Sequence, residues 1–195
     1  MQWATPCEAG IPLATSGSYV TAEELWQMPE PGDGSRYELL AGKLIQVAAA
    51  GGRHGACCAA ICSILQKCAK DRGAGYAVSN NTGVLTERDP DTVLAPDLAY
   101  WSRQRLPELP EGFVEVPPDL AVEVVSPGDS QSYVHRKVLH YLHHGVALVW
   151  VVDPKTRTVT VYRSRQDVCI LAEAEEIAGG DVLPGFSCRV SEFFE

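Results

Sequence analysis

The chain has 195 residues, a formal net charge of −9, 46% hydrophobic and 21% charged residues. That length can bury a full core, and the mixture is that of a globular protein. The acidic balance is not the footprint of a strong non-specific nucleic-acid binder, although a local basic patch or a bridging cation can offset a global deficit.

No apolar run reaches the ~18 residues of a membrane span. The opening "MQWATPCEAG" lacks the basic start and apolar core of a signal peptide. A cytoplasmic protein, with no membrane partner, is the expectation. Seven cysteines is an odd number. Four crowd one segment (Cys57, Cys58, Cys62, Cys68) and no C-x-x-C pair occurs, so reduced thiols are expected rather than a secreted disulfide framework.

Residues 1–18 are small and polar and read as a loose leader, with one domain expected over residues 19–195. "TAEELWQMP" is a short helix: Thr21 caps it, Glu24 completes a capping box and Pro29 follows its end. "RYELLAGKLIQVAA" reads as two strands around Ala41-Gly42, a hairpin. "RHGACCAAICSILQKCAKDRG" is an amphipathic helix with Cys58, Ile61, Cys62, Leu65, Cys68 and Ala69 on its inner stripe and Gly73 past its end. "GYAVSNNTGVLTE" and "TVLAPDLAYW" are strands on either side of the turn "RDPD". "SRQRLPELPEGFVEVPP" is Pro-rich and irregular, and "DLAVEVVS" is a central strand. "SQSYVHRKVLHYLHHGV" is a second long helix ended by Gly145. "ALVWVVDP" is a buried strand, and "KTRTVTVYRS" alternates and pairs with it across "DPKT". "LPGFSCRVSEFF" closes the chain as a short strand or turn. This order predicts an α/β (α+β) domain, a mixed β-sheet flanked by helices.

In "LAVEVVSPGD" one carboxylate, Glu123, interrupts an apolar strand. Carboxylates are buried only when paired or bound to a metal. Asp97, 26 residues upstream in "APDLAYW", is a second such carboxylate. Neighbouring strands can bring both to one sheet end, where they repel unless a cation lies between them. A hard divalent ion with oxygen ligands resolves that repulsion. On the following helix, at about 100° per residue, Val134, Val138, Tyr141 and Gly145 form the inward stripe. Lys137 lies at the edge of that stripe, able to snorkel outward or to reach the end of the Glu123 strand.

Pro96-Asp97 followed by Glu123-Val124-Val125 resembles the PD-(D/E)xK phosphodiesterase signature. More narrowly, "YELLAGKL", "APDLAYW", "LAVEVVSPGD", "K-x-x-x-Y-x-x-x-GV" and "VWVVDPKTRTVTVYR" resemble the Uma family of restriction-endonuclease-like proteins, over residues 20–195. The chain departs from the broad superfamily at Val125, where a lysine is usual; in the Uma pattern that lysine has moved to the next helix, which matches Lys137. The resemblance implies a restriction-endonuclease-like core and a DNA endonuclease that leaves 5′-phosphate and 3′-hydroxyl ends. It implies that Asp97 and Glu123 hold Mg²⁺ or Mn²⁺ with the Val124 backbone carbonyl as third ligand. It further implies that Lys137 orients or deprotonates the attacking water, that Glu38 of "YELL" is an additional acidic group, and that the protein is a homodimer.

Other readings stand beside this one. Glu123 and Asp97 are equally able to be edge-strand residues in structural ion pairs, and Glu38 an ordinary exposed hairpin residue. His54, Cys58 and Cys62 fall at i, i+4 and i+8 and suggest zinc, but the cysteines coincide with the apolar stripe and behave as small hydrophobes. His54 is otherwise a capping-turn residue or a substrate contact. His140, His143 and His144 suit the negative end of a helix dipole, with His144 on the Lys137 side as an auxiliary group. Arg103, Arg105 and Arg136 are free to meet a phosphate backbone or solvent. Two rival functions remain: a non-catalytic module that binds nucleic acid or protein, motivated by the acidic charge and Val125, and a two-carboxylate glycosidase.

Overall fold

The computed structural model describes residues 19–195; the leader expected over residues 1–18 lies outside them. Helix α1 (Ala22–Gln27) carries the expected capping box: Glu24 N–H donates to Thr21 Oγ1 at 3.2 Å, and Thr21 N–H donates to Glu24 Oε2 at 2.8 Å. Strands β1 (Arg36–Leu40) and β2 (Lys43–Val47) form the expected hairpin, with Leu40 opposite Lys43. Its two central residues, Ala41 and Gly42, have φ of 48° and 74°. Positive φ at both positions matches the right-handed twist of the paired strands.

Helix α2 (Gly52–Arg72) ends at Gly73, which turns left-handed at φ 57° and donates its N–H to the carbonyls of Ala69 and Lys70. Its inner stripe keeps the expected centre and differs at its margins. Cys57, Ile61, Cys62, Leu65 and Ala69 are buried, whereas Cys58 and Cys68 are partly exposed. His54, one turn before Cys57 and Cys58, is turned inward as well.

Each of the next two predicted strands divides. β3 (Gly75–Ser79) and β4 (Val84–Glu87) separate at Asn80 and Asn81, with φ of 66° and 58°. β5 (Thr92–Leu94) and β6 (Leu98–Ser102) separate at Ala95-Pro96-Asp97. Proline has no N–H to give a ladder, so a strand stops there and is free to change sheets. β7 (Leu120–Val124), α3 (Gln131–His143), β8 (Leu148–Asp153) and β9 (Thr158–Tyr162) follow as expected. Three more short strands complete the chain: β10 (Val168–Ala172), β11 (Glu176–Ala178) and β12 (Ser187–Arg189), with a final 3₁₀ turn over Val190–Phe194. The sequence reading placed no strand at β10 or β11. β10 is an edge strand whose Val168 and Ile170 face outward, so its apolar alternation does not mark a buried face.

Six strands form one sheet in the order β10-β9-β8-β7-β6-β3, and four form a smaller one in the order β2-β1-β5-β4. The fold is α+β, as expected, but with the mixed sheet accompanied by this four-stranded sheet and by a two-stranded one, β11-β12. β7 and β8 are parallel, joined by α3, as parallel neighbours require a crossover. Leu120, Val122 and Val124 of β7 and Leu148, Trp150 and Val152 of β8 pack against Ile61, Cys62 and Leu65 of α2. Ala121 and Val149 face the other way, onto Val138 and Tyr141 of α3. The two-residue period therefore puts Glu123 on the α3 face. Leu65 is 0% exposed at the centre of the α2 core. Leu65→Ala is expected to cost about 2–5 kcal/mol through the cavity it leaves. Urea unfolding measures this, and a loss below about 1 kcal/mol would mean the core collapses around the gap.

Candidate active site

Four elements meet at the junction of the two sheets. β1 supplies Arg36 and Glu38, two residues apart and therefore on one face of the strand. The segment from β5 to β6 supplies Asp97 as it crosses from the small sheet to the large one. β7 supplies Glu123 on its α3 face, and α3 supplies Lys137. Glu38 is 1%, Asp97 6%, Glu123 6% and Lys137 3% exposed. All four residues assigned from the sequence are thus brought together and buried, and Lys137 points inward rather than snorkelling.

Lys137 Nζ is the centre of the cluster. It lies 2.7 Å from Glu123 Oε1 and 2.9 Å from Oε2, and 3.2 Å from both Glu38 Oε1 and the Ala95 carbonyl. Tyr141 O–H donates to Glu123 Oε1 at 2.7 Å. Tyr133 O–H donates to Glu38 Oε2 in a short hydrogen bond. Asp97 Oδ2 accepts the Val124 N–H at 2.8 Å and meets His54 Nε2 at 3.2 Å. Among the described residues, Asp97 Oδ1 has only Arg36 Nη2 nearby, at 3.9 Å. Val125 N–H donates to Val152 on the β8 side. Successive residues of a strand direct their backbone groups to opposite flanks. The Val124 carbonyl therefore points with its N–H toward Asp97. Arg36, His54, Asp97, Glu123, Tyr133 and Lys137 line a common open cleft.

The electrostatics follow from burial of three carboxylates around one ammonium. Burial pushes Glu123 up to about 7, with Asp97 and Glu38 adding to the rise and Lys137 opposing it. Burial works against the charge on Lys137, but Glu123, Glu38 and Asp97 outweigh it and hold the ammonium above its ordinary value. Burial also works against charge on Asp97, yet the His54 hydrogen bond and the Lys137 charge keep it below the usual carboxylate range. That same bond raises His54.

The raised Glu123 has a consequence for stability in chelator. Its folded value of about 7 exceeds the ordinary 4.5, so its contribution is fully present at acid pH and is lost as pH rises through about 7. Asp97, held low, acts below that window. Thermal unfolding in EDTA from pH 5 to pH 8 is expected to show wild type losing stability relative to Glu123→Gln. Parallel curves for the two proteins would contradict the assignment.

Other candidates from the sequence separate. His54 joins the site, while Cys58 Sγ stands 3.5 Å from its Nδ1. Cys62 turns into the core, so the sequence-suggested zinc set is not assembled; His54, Cys58 and Asp97 group instead. His144 does not approach Lys137 but pairs with Glu87 at 3.1 Å. Burial and the adjacent His144 hold His140 down to about 4, which removes the positive charge expected of it at the helix end. Arg105 is tied to Asp119 and the Gly145 carbonyl, and Arg103 lies over the Tyr76 ring, whereas Arg136 is exposed. Three site residues were not identified from the sequence: Arg36, Tyr133 and Tyr141. A signal for them existed. Tyr133, Lys137 and Tyr141 repeat every four residues along one helix face, and Arg36 precedes Glu38 by two on one strand face.

Two sheets meeting at a buried acidic cluster, with one helix crossing over and another covering the opposite face, define a restriction-endonuclease-like α+β fold. The chain belongs to the Uma2 family: the family model, described as "Putative restriction endonuclease", matches residues 22–191. Among solved structures it is similar in fold to a "putative nuclease belonging to DUF820" from Anabaena variabilis ATCC 29413. That match has a TM-score of 0.76 and 24% identity, and covers 90% of this chain and 97% of the other. No curated protein matches the chain. No helix among the described residues is long and apolar enough to cross a membrane.

Proposed function

We propose that the protein is a metal-dependent phosphodiesterase that cuts DNA, with Asp97, Glu123, Lys137 and Glu38 as its working groups. The observation that carries this reading is the placement of Lys137 Nζ between Glu123 and Glu38, with Lys137, Glu123 and Asp97 lining an open cleft. An isolated structural ion pair has no use for two carboxylates on one buried lysine with a third, Asp97, beside them. A cluster of buried carboxylates at one sheet junction fits a divalent cation. The donor set fits one too: Oδ1 of Asp97, the Glu123 carboxylate and the Val124 carbonyl are hard oxygens, as Mg²⁺ or Mn²⁺ prefers. When bound, such an ion supplies Lewis acidity toward water and phosphate.

The chain's own residues supply the rest. Lys137 is positioned to stabilise charge that develops on phosphate oxygens and to orient a water near Glu123. Tyr141 and Tyr133 keep the two glutamates pointed at that lysine. His54 fixes Asp97 through Oδ2, so that Oδ1 meets only Arg36 among the described residues. Arg36 holds an Nε–H without a partner among the described residues, which suits a phosphate oxygen. A homodimer belongs to the proposal, since cutting both strands takes two such sites, as does a cytoplasmic location.

The test is incubation of supercoiled, linear and single-stranded DNA with the protein in Mg²⁺, Mn²⁺ or EDTA. Divalent-dependent cleavage is the expected result. Folded protein that binds DNA in the cleft without cutting under any condition would establish the second reading. That reading is a non-catalytic binding module, motivated by the net charge of −9 and by Val125 in place of the usual lysine.

A further inference from the structure

We infer that Glu87, His140 and His144 form a second metal site, for a borderline transition ion such as Zn²⁺, which clasps the small sheet to the end of α3. One ligand atom from each of the three residues falls within 4.8 Å of the others. The two histidines are four residues apart on one helix face, and their rings stack at 4.1 Å. Glu87 comes from the end of β4, across the sheet boundary.

The hydrogen bonds suit a bound cation. His144 Nδ1 lies 2.8 Å from the His140 carbonyl, so it must be the protonated nitrogen. In the neutral ring, Nε2 then directs a lone pair at Glu87 Oε1 across 3.1 Å. Two acceptors face each other there, and either a second proton or a metal ion must lie between them. An imidazole whose far N–H is held by a backbone carbonyl is the usual support for a metal-ligating histidine. Glu87 Oε2 is held in turn by the Thr92 hydroxyl at 2.9 Å, and His140 Nε2 has the Thr86 hydroxyl at 2.7 Å. Each of the three ligands thus has its own orienting partner.

Two imidazoles and one carboxylate suit Zn²⁺ better than Mg²⁺. The Glu87 side chain is 41% exposed, which leaves solvent for the fourth position. Lys137 lies one helical turn before His140, so an ion here would secure the helix segment that presents Lys137 to the candidate active site. The site shares no residue with that cluster and does not depend on its function.

The test uses the full chain carrying Asp97→Asn and Glu123→Gln, which removes the other carboxylate ligands. Co²⁺ serves as the visible probe, followed by displacement with Zn²⁺. One Co²⁺ per chain is expected, with d–d absorption that Zn²⁺ abolishes. Adding Glu87→Gln or His144→Gln is expected to weaken binding by at least about tenfold, the size of effect that outer partners alone produce. His143→Gln, at the exposed neighbour, is expected to leave it unchanged. Glu87→Gln replaces a partly exposed side chain, so it reads binding even where a histidine variant fails to fold. No Co²⁺ uptake, or equal affinity with and without Glu87→Gln and His144→Gln, would overturn the inference.

Discussion

Glu123→Gln is expected to lower DNA cleavage by at least about 10³-fold, since losing a ligand charge removes roughly 4 kcal/mol of transition-state stabilisation. The fold is expected to survive. Glutamine keeps the shape of the side chain and an oxygen to accept the Tyr141 O–H, and Lys137 retains Glu38 and the Ala95 carbonyl. Above pH 7 in chelator the variant should be at least as stable as wild type, because burial already disfavours the Glu123 charge. Asp97→Asn is expected to show the same loss of cleavage. It keeps an acceptor for the Val124 N–H and loses the charge that pairs with His54. Cleavage assays beside circular-dichroism melts separate chemistry from folding. Undiminished cleavage by Glu123→Gln would remove the proposed mechanism.

Lys137→Met is expected to lose cleavage and to destabilise the metal-free protein by about 3–5 kcal/mol, because it leaves buried carboxylates without their cation. The ammonium touches Glu123 and Glu38 at once, and each would remain sequestered beside the other. Three features of the effect distinguish it from simple loss of packing. Mn²⁺ should raise the melting temperature of Lys137→Met more than that of wild type, since an ion replaces the missing charge. The double variant Glu123→Gln/Lys137→Met should recover part of the loss, giving a coupling energy above about 0.5 kcal/mol. The loss should also shrink as pH falls toward about 7 from above, because without Lys137 the Glu123 carboxyl takes up its proton at a higher pH than in wild type. Thermal melts with and without Mn²⁺ provide the first reading, and urea unfolding in EDTA across pH the other two. Additive single effects would mean that the lysine acts through its aliphatic stem.

Elements with strong local signals were legible in the sequence. The capping box at Thr21 and Glu24, the Ala41-Gly42 turn and the left-handed Gly73 depend on neighbours within a few residues, so local chemistry dictates them. Burial of Glu123 was legible for the same reason: its flanking Val and Ala residues alternate across a strand that must be covered on both faces. The division of "TVLAPDLAYW" was signalled by Pro96, but not the fact that its halves join different sheets. The apolar stripe of α2 was right in period and at its centre, Ile61, Cys62, Leu65 and Ala69, and differed only at its margins, where Cys57 and His54 are buried and Cys58 and Cys68 partly exposed. β10 was missed because an edge strand buries too little of either face to leave a clear pattern.

By itself the sequence determined which residues carry charge inside apolar segments, in what order, and on which faces of their own strand or helix they lie. Asp97 and Glu123 were identifiable on that basis, Lys137 lay at the edge of its helix stripe with its direction open, and Glu38 was indicated only by likeness to a known family pattern. Only the tertiary structure decided that they share one place. Glu38 is 99 residues from Lys137 along the chain, and the 3.2 Å between them arises from the crossing of two sheets at Pro96. The roles of Arg36, His54, Tyr133 and Tyr141 were decided there too, as was the pairing of His144 with Glu87 in place of Lys137. Side-chain direction within an element is a local property of backbone geometry, whereas the partner a side chain meets depends on how whole elements pack.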